Sequence, residues 1–333
     1  MTTPRTLRIL SGVQPSGKLH LGNYFGAMQQ HIALQHEGDA FYFIADYHAL
    51  TTVQDRARLA ELVRDVALDY LALGLDPQRA AFFRQSDVPE VCELTWLLAT
   101  VTPMGLLERA TSYKDKLARG LAPRSGLFFY PVLMAADILA YDSDVVPVGK
   151  DQVQHLEMAR DMADAFNGAY ATEVFRRPAA RLAARAEVVP GTDGQKMSKS
   201  YGNTIGIFDE GKALKTAVMS IKTDSRGVEE PKDPESCNVY LLYRLVAEPA
   251  EAEAMAQALQ RGGYGYGDAK KALLAAIDAR FGAARERRRA LAADPAGLEE
   301  VLRAGGRRAR AVAQQTLARA REAVGMSGRP VTP

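Results

Sequence analysis

Over the first 165 residues, short apolar runs alternate with longer amphipathic stretches, an order that few folds accept. Residues 6–13 (TLRILSGV) and 80–84 (AAFFR) read as buried strands, and 40–45 (AFYFIA) as an aromatic-rich one. Residues 23–35 and 56–73 read as helices; in the second, Leu59, Leu62, Val63, Val66 and Leu71 recur at helical spacing. Asp76-Pro77 marks a turn before the third strand. A helix is expected over 91–100, a mainly helical stretch over 104–140, a returning strand over 145–148, a helix from about 152 to 166, and another strand at 187–189. This alternation predicts an α/β fold built on a doubly wound parallel sheet, with ligands bound beyond the carboxyl ends of the strands. Beyond residue 208 the pattern is helical, broken at 224–234 and 261–267. Two domains are therefore expected. Residues 1–205 form the sheet domain with a helical insertion over about 104–140, and 206–330 form a helical domain.

At 333 residues, 47% hydrophobic and 25% charged, the chain is long enough for two cores. The longest uncharged apolar run, 127–136, is interrupted by Pro131 and falls short of the roughly 20 residues of a membrane span. The sequence MTTPRTLRIL lacks the apolar block of a secretory signal, so a cytoplasmic protein is expected. Cys92 and Cys237 then read as reduced thiols, and two cysteines exclude a four-cysteine zinc or iron–sulfur site within one chain. Charge is uneven. Residues 280–329 hold twelve arginines, five acids and no lysine, a net +7 against −5 for the remainder. Such a basic end suits a polyanionic partner, and equally a solubilised helix surface.

Three constellations carry chemistry. In the first, Gln14-Pro15-Ser16-Gly17-Lys18-Leu19-His20-Leu21-Gly22-Asn23 follows a strand and opens a helix. Glycine admits close backbone approach, and a helix N-terminus offers N–H groups to phosphate. His20 and Asn23, three residues apart, can face one anion. The same run could be a capped structural turn, and it matches neither the P-loop nor the dinucleotide pattern. The second is Lys196-Met197-Ser198-Lys199-Ser200 between glycines, where two lysines can follow the charge of a phosphate chain; alone it could be a solvated basic loop. The third lies in SGLFFYPVLMAADILAY, where spacings of four and three put Tyr130, Met134 and Asp137 on one helix face. Asp137 sits among apolar neighbours and requires a partner, whether a ligand or a backbone N–H or arginine.

Taken together, HLGN and KMSKS in this order and at this spacing resemble the HIGH and KMSKS signatures of class I aminoacyl-tRNA synthetases. The run from Tyr130 to Asp137 resembles the YPxLMAAD stretch of the bacterial tryptophanyl enzymes, as do SGVQPSG, IADYHALT and the VPVGxDQ-like segment ending at Gln152. The resemblance spans about residues 8–325. It implies a Rossmann-like catalytic domain with a C-terminal helical domain that binds the tRNA anticodon. It also implies activation of L-tryptophan by ATP, with magnesium on the phosphates, and transfer of tryptophan to tRNA(Trp) by a homodimer. His20, Asn23, Lys196 and Lys199 would be catalytic. ATP would meet Gln14, Pro15, Ser16, Gly22, Asn23, Gly149, Lys150, Asp151, Val188, Lys196, Met197, Ser198, Lys199 and Ser200. Tryptophan would meet Asp137 through its indole N–H, together with Tyr130, Met134, Val146, Val148, Gln152, Gln14, Leu10 and His48. Lys116 would reach ATP and Lys114 would be a solvated charge. Tyrosyl enzymes share the tyrosine and aspartate but carry glutamine where this chain has Met134; methionine suits a flat apolar ring. Two departures stand out: Leu10 replaces a phenylalanine common among relatives, and Tyr201-Gly202-Asn203 follows KMSKS in place of Asp-Pro or Asp-Asn.

Overall fold

Alternate residues of the strands feed opposite faces of one sheet, as a two-residue period requires. Phe41, Phe43, Ala81 and Phe83 enter one apolar cluster, while Ala40, Tyr42, Ile44, Ala80 and Phe82 enter another. A computed structural model describes residues 6–110, 120, 122, 124–149, 152–182 and 188–326. Its five strands are β1 (Arg8–Val13), β2 (Asp39–Ile44), β3 (Ala80–Arg84), β4 (Val145–Val148) and β5 (Ala179–Leu182). All pair in parallel, in the order β3-β2-β1-β4-β5. The order therefore reverses between β1 and β4, and a crevice opens at their carboxyl ends.

The first helical stretch begins at α1 (Leu21–Asn23), passes through a π-helical segment (Tyr24–Met28) and ends in α2 (Gln29–Ala33). One short helix, α3 (Asp46–Ala49), follows β2. Next come α4 (Arg56–Ala72), α5 (Glu90–Ala99), α6 (Met104–Glu108) and α7 (Ser125–Ala140). Helix α4 starts where the Asp55 carboxylate accepts the Arg58 N–H at 2.6 Å. After β4 runs α8 (Val153–Ala169), then, beyond β5, α9 (Gly211–Met219), α10 (Asn238–Val246), α11 (Pro249–Arg261), α12 (Tyr266–Ala293) and α13 (Pro295–Ala323). No described helix is long and apolar enough to cross a membrane.

One expectation needs correction. The fifth strand lies at β5, not at 187–189. Glu187 is outside the described residues, and Val188 and Val189 lead into a loop at Pro190. The AARL segment has little strand propensity of its own and owes its form to pairing with β4. The helices of 206–326 pack in two places. Ile207, Leu214, Val239, Leu259, Leu273 and Phe281 share a core with Leu21, Val189, Met197 and Ile205 from the first half. Helix α13 instead returns to the sheet. Leu298 and Leu302 join the cluster on one face, and Ala309, Ala313, Leu317 and Ala320 join the cluster on the other. It crosses the sheet edge at Gly305, where any Cβ would overlap the Phe82 backbone, and so covers the exposed edge of β3. An apolar stripe on a helix does not specify which surface it will cover, so sequence alone could not assign α13 to the sheet.

Candidate active site

A cleft of about 430 Å³ opens at the crevice between β1 and β4. Leu10, Gly12 and Gln14 line it from β1 and the turn beyond, and Val146, Val148 and Gly149 from β4 and its end. Tyr130, Met134 and Asp137 line it from one face of α7, as their spacing required. His48 and Gln152 complete the expected set. Gly12 is needed because the Phe43 ring lies where its Cβ would be.

Asp137 is 1% exposed. Its oxygens accept the Gln85 Nε2 amide at 2.9 and 2.8 Å, and His48 Nε2 lies 2.9 Å from Oδ2. Burial pushes the carboxyl up, and the His48 and Gln85 hydrogen bonds oppose the rise. Among the described residues the partners of Asp137 are thus side chains that follow β2 and β3, not a backbone N–H or an arginine. A carboxylate has about four acceptor directions, so room for one further donor remains. Tyr130 Oη lies 3.0 Å from His155 Nε2.

The first motif forms the neighbouring wall. His20 is buried, and its Nδ1 has no hydrogen-bond partner among the described residues. Burial, and then the charge of Lys199, push its pKa down to about 4, so the imidazole is neutral near pH 7. Asn23 Oδ1 accepts the His20 N–H at 3.3 Å. The lysine loop lies directly over this turn. The Gly22 N–H donates to Met197 Sδ at 3.3 Å, and Lys199 Nζ donates to the Ser16 carbonyl at 2.9 Å. Burial lowers the Lys199 pKa, and the Asp69 carboxylate opposes that. Met197 is buried in the helical core, whereas Lys196, Lys199 and Ser200 are exposed and Ser198 is half-buried.

The two motifs expected to act on phosphate therefore meet at one place, beside the cleft. Pro15 lies in the same turn, buried. Val188 is 69% exposed, and no described contact ties it to the cleft. Lys150 and Asp151 lie outside the described residues, as do Lys114 and Lys116. Among the described residues no group of three or more His, Cys, Asp or Glu could hold a metal ion. The groups around the motif turn are donors, which suits a magnesium ion carried by phosphate oxygens rather than by carboxylates. Sequence reasoning passed over Gln85, Gly12, Thr51, Ile138 and His155. Gln85 and Gly12 could have been found as polar or small residues at the carboxyl ends of core strands, where this fold binds ligands.

A parallel sheet with this switch point, and with HLGN and KMSKS turns joined beside the cleft, defines a class I synthetase site. The chain belongs to that family: the model of class I tRNA synthetases for tryptophan and tyrosine matches residues 2–282. Within the family, bacterial tryptophan–tRNA ligases match it over nearly the whole chain. That of Rhodopirellula baltica is 53% identical over 96% of this chain and 100% of its own. The Fusobacterium nucleatum enzyme is 52% identical over 96% and 98%. Among solved structures, tryptophanyl-tRNA synthetase from Campylobacter jejuni, complexed with ADP and tryptophan, aligns with a TM-score of 0.92. It is 48% identical and covers 96% of this chain and 100% of that one.

Proposed function

We infer that this chain is a tryptophan–tRNA ligase, condensing L-tryptophan with ATP to tryptophanyl-adenylate and pyrophosphate and then passing tryptophan to the 3′ end of tRNA(Trp). The observation that carries the reading is a buried carboxylate with one acceptor direction left, on the wall of an otherwise apolar cleft at the sheet's switch point. An indole offers one N–H on a flat apolar bicycle. Asp137 accepts that N–H, and Leu10, Met134, Val146 and Val148 pack on the ring. Tyr130, Gln152 and Gln14 hold the amino acid's polar end. The tryptophan carboxylate attacks the α-phosphorus of ATP, and pyrophosphate leaves in line. The protein supplies position and charge. Neutral His20 and Asn23 donate hydrogen bonds to the phosphates, and Lys196 and Lys199 follow the developing charge, Lys199 exchanging the Ser16 carbonyl for phosphate oxygen. Magnesium arrives with ATP.

The same reading assigns tRNA to the surface of the helical half and makes the protein a cytoplasmic homodimer. Trp96 on α5 is 67% exposed, and Cys92 and Thr95 of the same helix line an apolar groove with Tyr47, Leu127, Phe129 and Leu133, a surface suited to a second copy. ATP–pyrophosphate exchange with tryptophan, tyrosine and phenylalanine side by side tests the assignment. Exchange driven by tryptophan alone supports it, and exchange driven equally by tyrosine would replace it.

A further inference from the structure

The Tyr201-Gly202-Asn203 run that follows the lysine motif ends in a buried amide. Asn203 is 2% exposed. Its Nδ2 donates to Asp193 Oδ1 at 2.7 Å and to the Lys196 carbonyl at 3.2 Å, while its Oδ1 accepts the Ser198 N–H at 2.8 Å. Its own carbonyl accepts the Thr192 N–H at 2.9 Å. One residue, through its side chain and its carbonyl, thus ties the incoming limb of the loop, at 192–193, to the segment that carries both lysines. Gly191 lies directly beneath, where a Cβ would overlap the Asn203 amide, and Gly202, at φ 64°, turns the chain back so that the amide points inward. The bond from Asn203 is also the leading reason that the Asp193 carboxyl sits below the usual carboxylate range.

We propose that Asn203 is the positioning residue of the lysine loop, a buried latch that pre-folds residues 191–203 so that Lys196 and Lys199 meet ATP already in place. The proposal rests on reading those lysines as ATP ligands. A loop folded before binding loses less freedom on closing, so breaking the latch weakens the ATP step and leaves the tryptophan cleft as it was.

The test is a swap measured by ATP–pyrophosphate exchange. Asn203→Asp sets a carboxylate against Asp193 and the Lys196 carbonyl. Adding Asp193→Asn restores one donor–acceptor pair with its polarity reversed. The single variant N203D is expected to raise the ATP KM or slow activation by roughly tenfold or more, and the double variant to recover a good part of that loss, as coupled neighbours do. The tryptophan KM should stay within about twofold throughout, since Asp137 and its partners are untouched. N203D with wild-type ATP kinetics, a double variant no better than the two losses combined, or equal losses in ATP and tryptophan KM would each overturn the latch. If N203D does not fold, Asp193→Ala removes the outer anchor at a less buried position, and an unchanged ATP KM there overturns it equally. Lys199→Ala is measured in parallel. A normal activation rate in K199A would remove the reading of the lysines, whereas a slowed K199A beside an unaffected N203D would remove the latch alone.

Discussion

Asp137 is held by two side chains and enclosed by apolar ones, and its chemistry follows from that confinement. With Gln85 and His48 bound, one acceptor direction remains for a ligand. Phenylalanine would leave that direction dry, and a site built to bond such a group rejects analogues lacking it by roughly 10⁴–10⁵-fold. Asp137→Ala should therefore raise the tryptophan KM steeply and erase most discrimination against phenylalanine, with the ATP KM nearly unchanged. The Gln85 amide would also be left unpaired, at about 1–3 kcal/mol of stability. Steady-state exchange with both amino acids checks this; a folded variant as selective as wild type would make Asp137 purely structural. Lys199 is the opposite case, an exposed ammonium resting on the Ser16 carbonyl. Its grip should be strongest in the transition state, so Lys199→Ala should slow adenylate formation by about 2.7–4 kcal/mol of barrier while hardly changing tryptophan binding. Single-turnover kinetics decides that. At both positions the residue type was legible in the sequence. Gln85 was not, because nothing local marks which polar side chain will end opposite a buried acid.

Among the elements, α13 most changes the expected architecture. Its Gly305-Gly306 pair lets two long backbones approach, with the helix lying on the edge of β3. On an ordinary helix, replacing glycine by alanine stabilises by about 0.5–1 kcal/mol. Gly305→Ala should reverse that sign and destabilise by about 1–3 kcal/mol, since the clash is with the Phe82 backbone, which cannot rotate away. Gly282, on α12 with nothing near the position of its Cβ, is the control, and Gly282→Ala should stabilise. Thermal denaturation of the two variants checks both signs together; a neutral Gly305→Ala would mean that α13 is not pressed on the strand. The helical period that located α13 in the sequence is the same wherever the helix packs. The two glycines were visible too, but read alone they only lower helix propensity.

At the scale of the molecule, much of the basic end is engaged in contacts within the chain. Arg288 bonds Asp69 and Asp65 on α4, Arg310 bonds Glu90 on α5, Arg321 bonds Glu93, and Arg319 bonds Asp142. Arg287 and Arg308 donate to the backbone carbonyls of Ala72 and Pro77. These arginines pin the last two helices to the sheet domain. Arg289, Arg303 and Arg307 are mainly exposed, and their ion pairs leave guanidinium N–H groups for phosphate. If tRNA lies on this surface, replacing those three by glutamine should flatten the plot of log affinity against log salt by roughly 0.7–0.9 for each phosphate no longer neutralised. Replacing Arg288 or Arg310 should lower the melting temperature instead. Filter binding across a salt series separates the two effects, and an unchanged slope for the exposed trio would leave them as solvated ion pairs.

Local physics was sufficient for much of this protein. Apolar runs of strand length between amphipathic helices demand a parallel sheet covered on both faces, and spacings of four and three put Tyr130, Met134 and Asp137 on one side of a helix whatever surrounds it. Two short motifs, each ambiguous alone, became specific as a pair through their resemblance to the class I signatures. The tertiary structure decided what depends on distant residues meeting. It set Gln85 and His48 on Asp137, Asn203 at the root of the lysine loop, α13 on the edge of β3, and the carboxylates opposite the arginines. A side chain's type and its place on an element are written locally. Its partner is chosen by how the elements pack, and a single sequence does not display that choice.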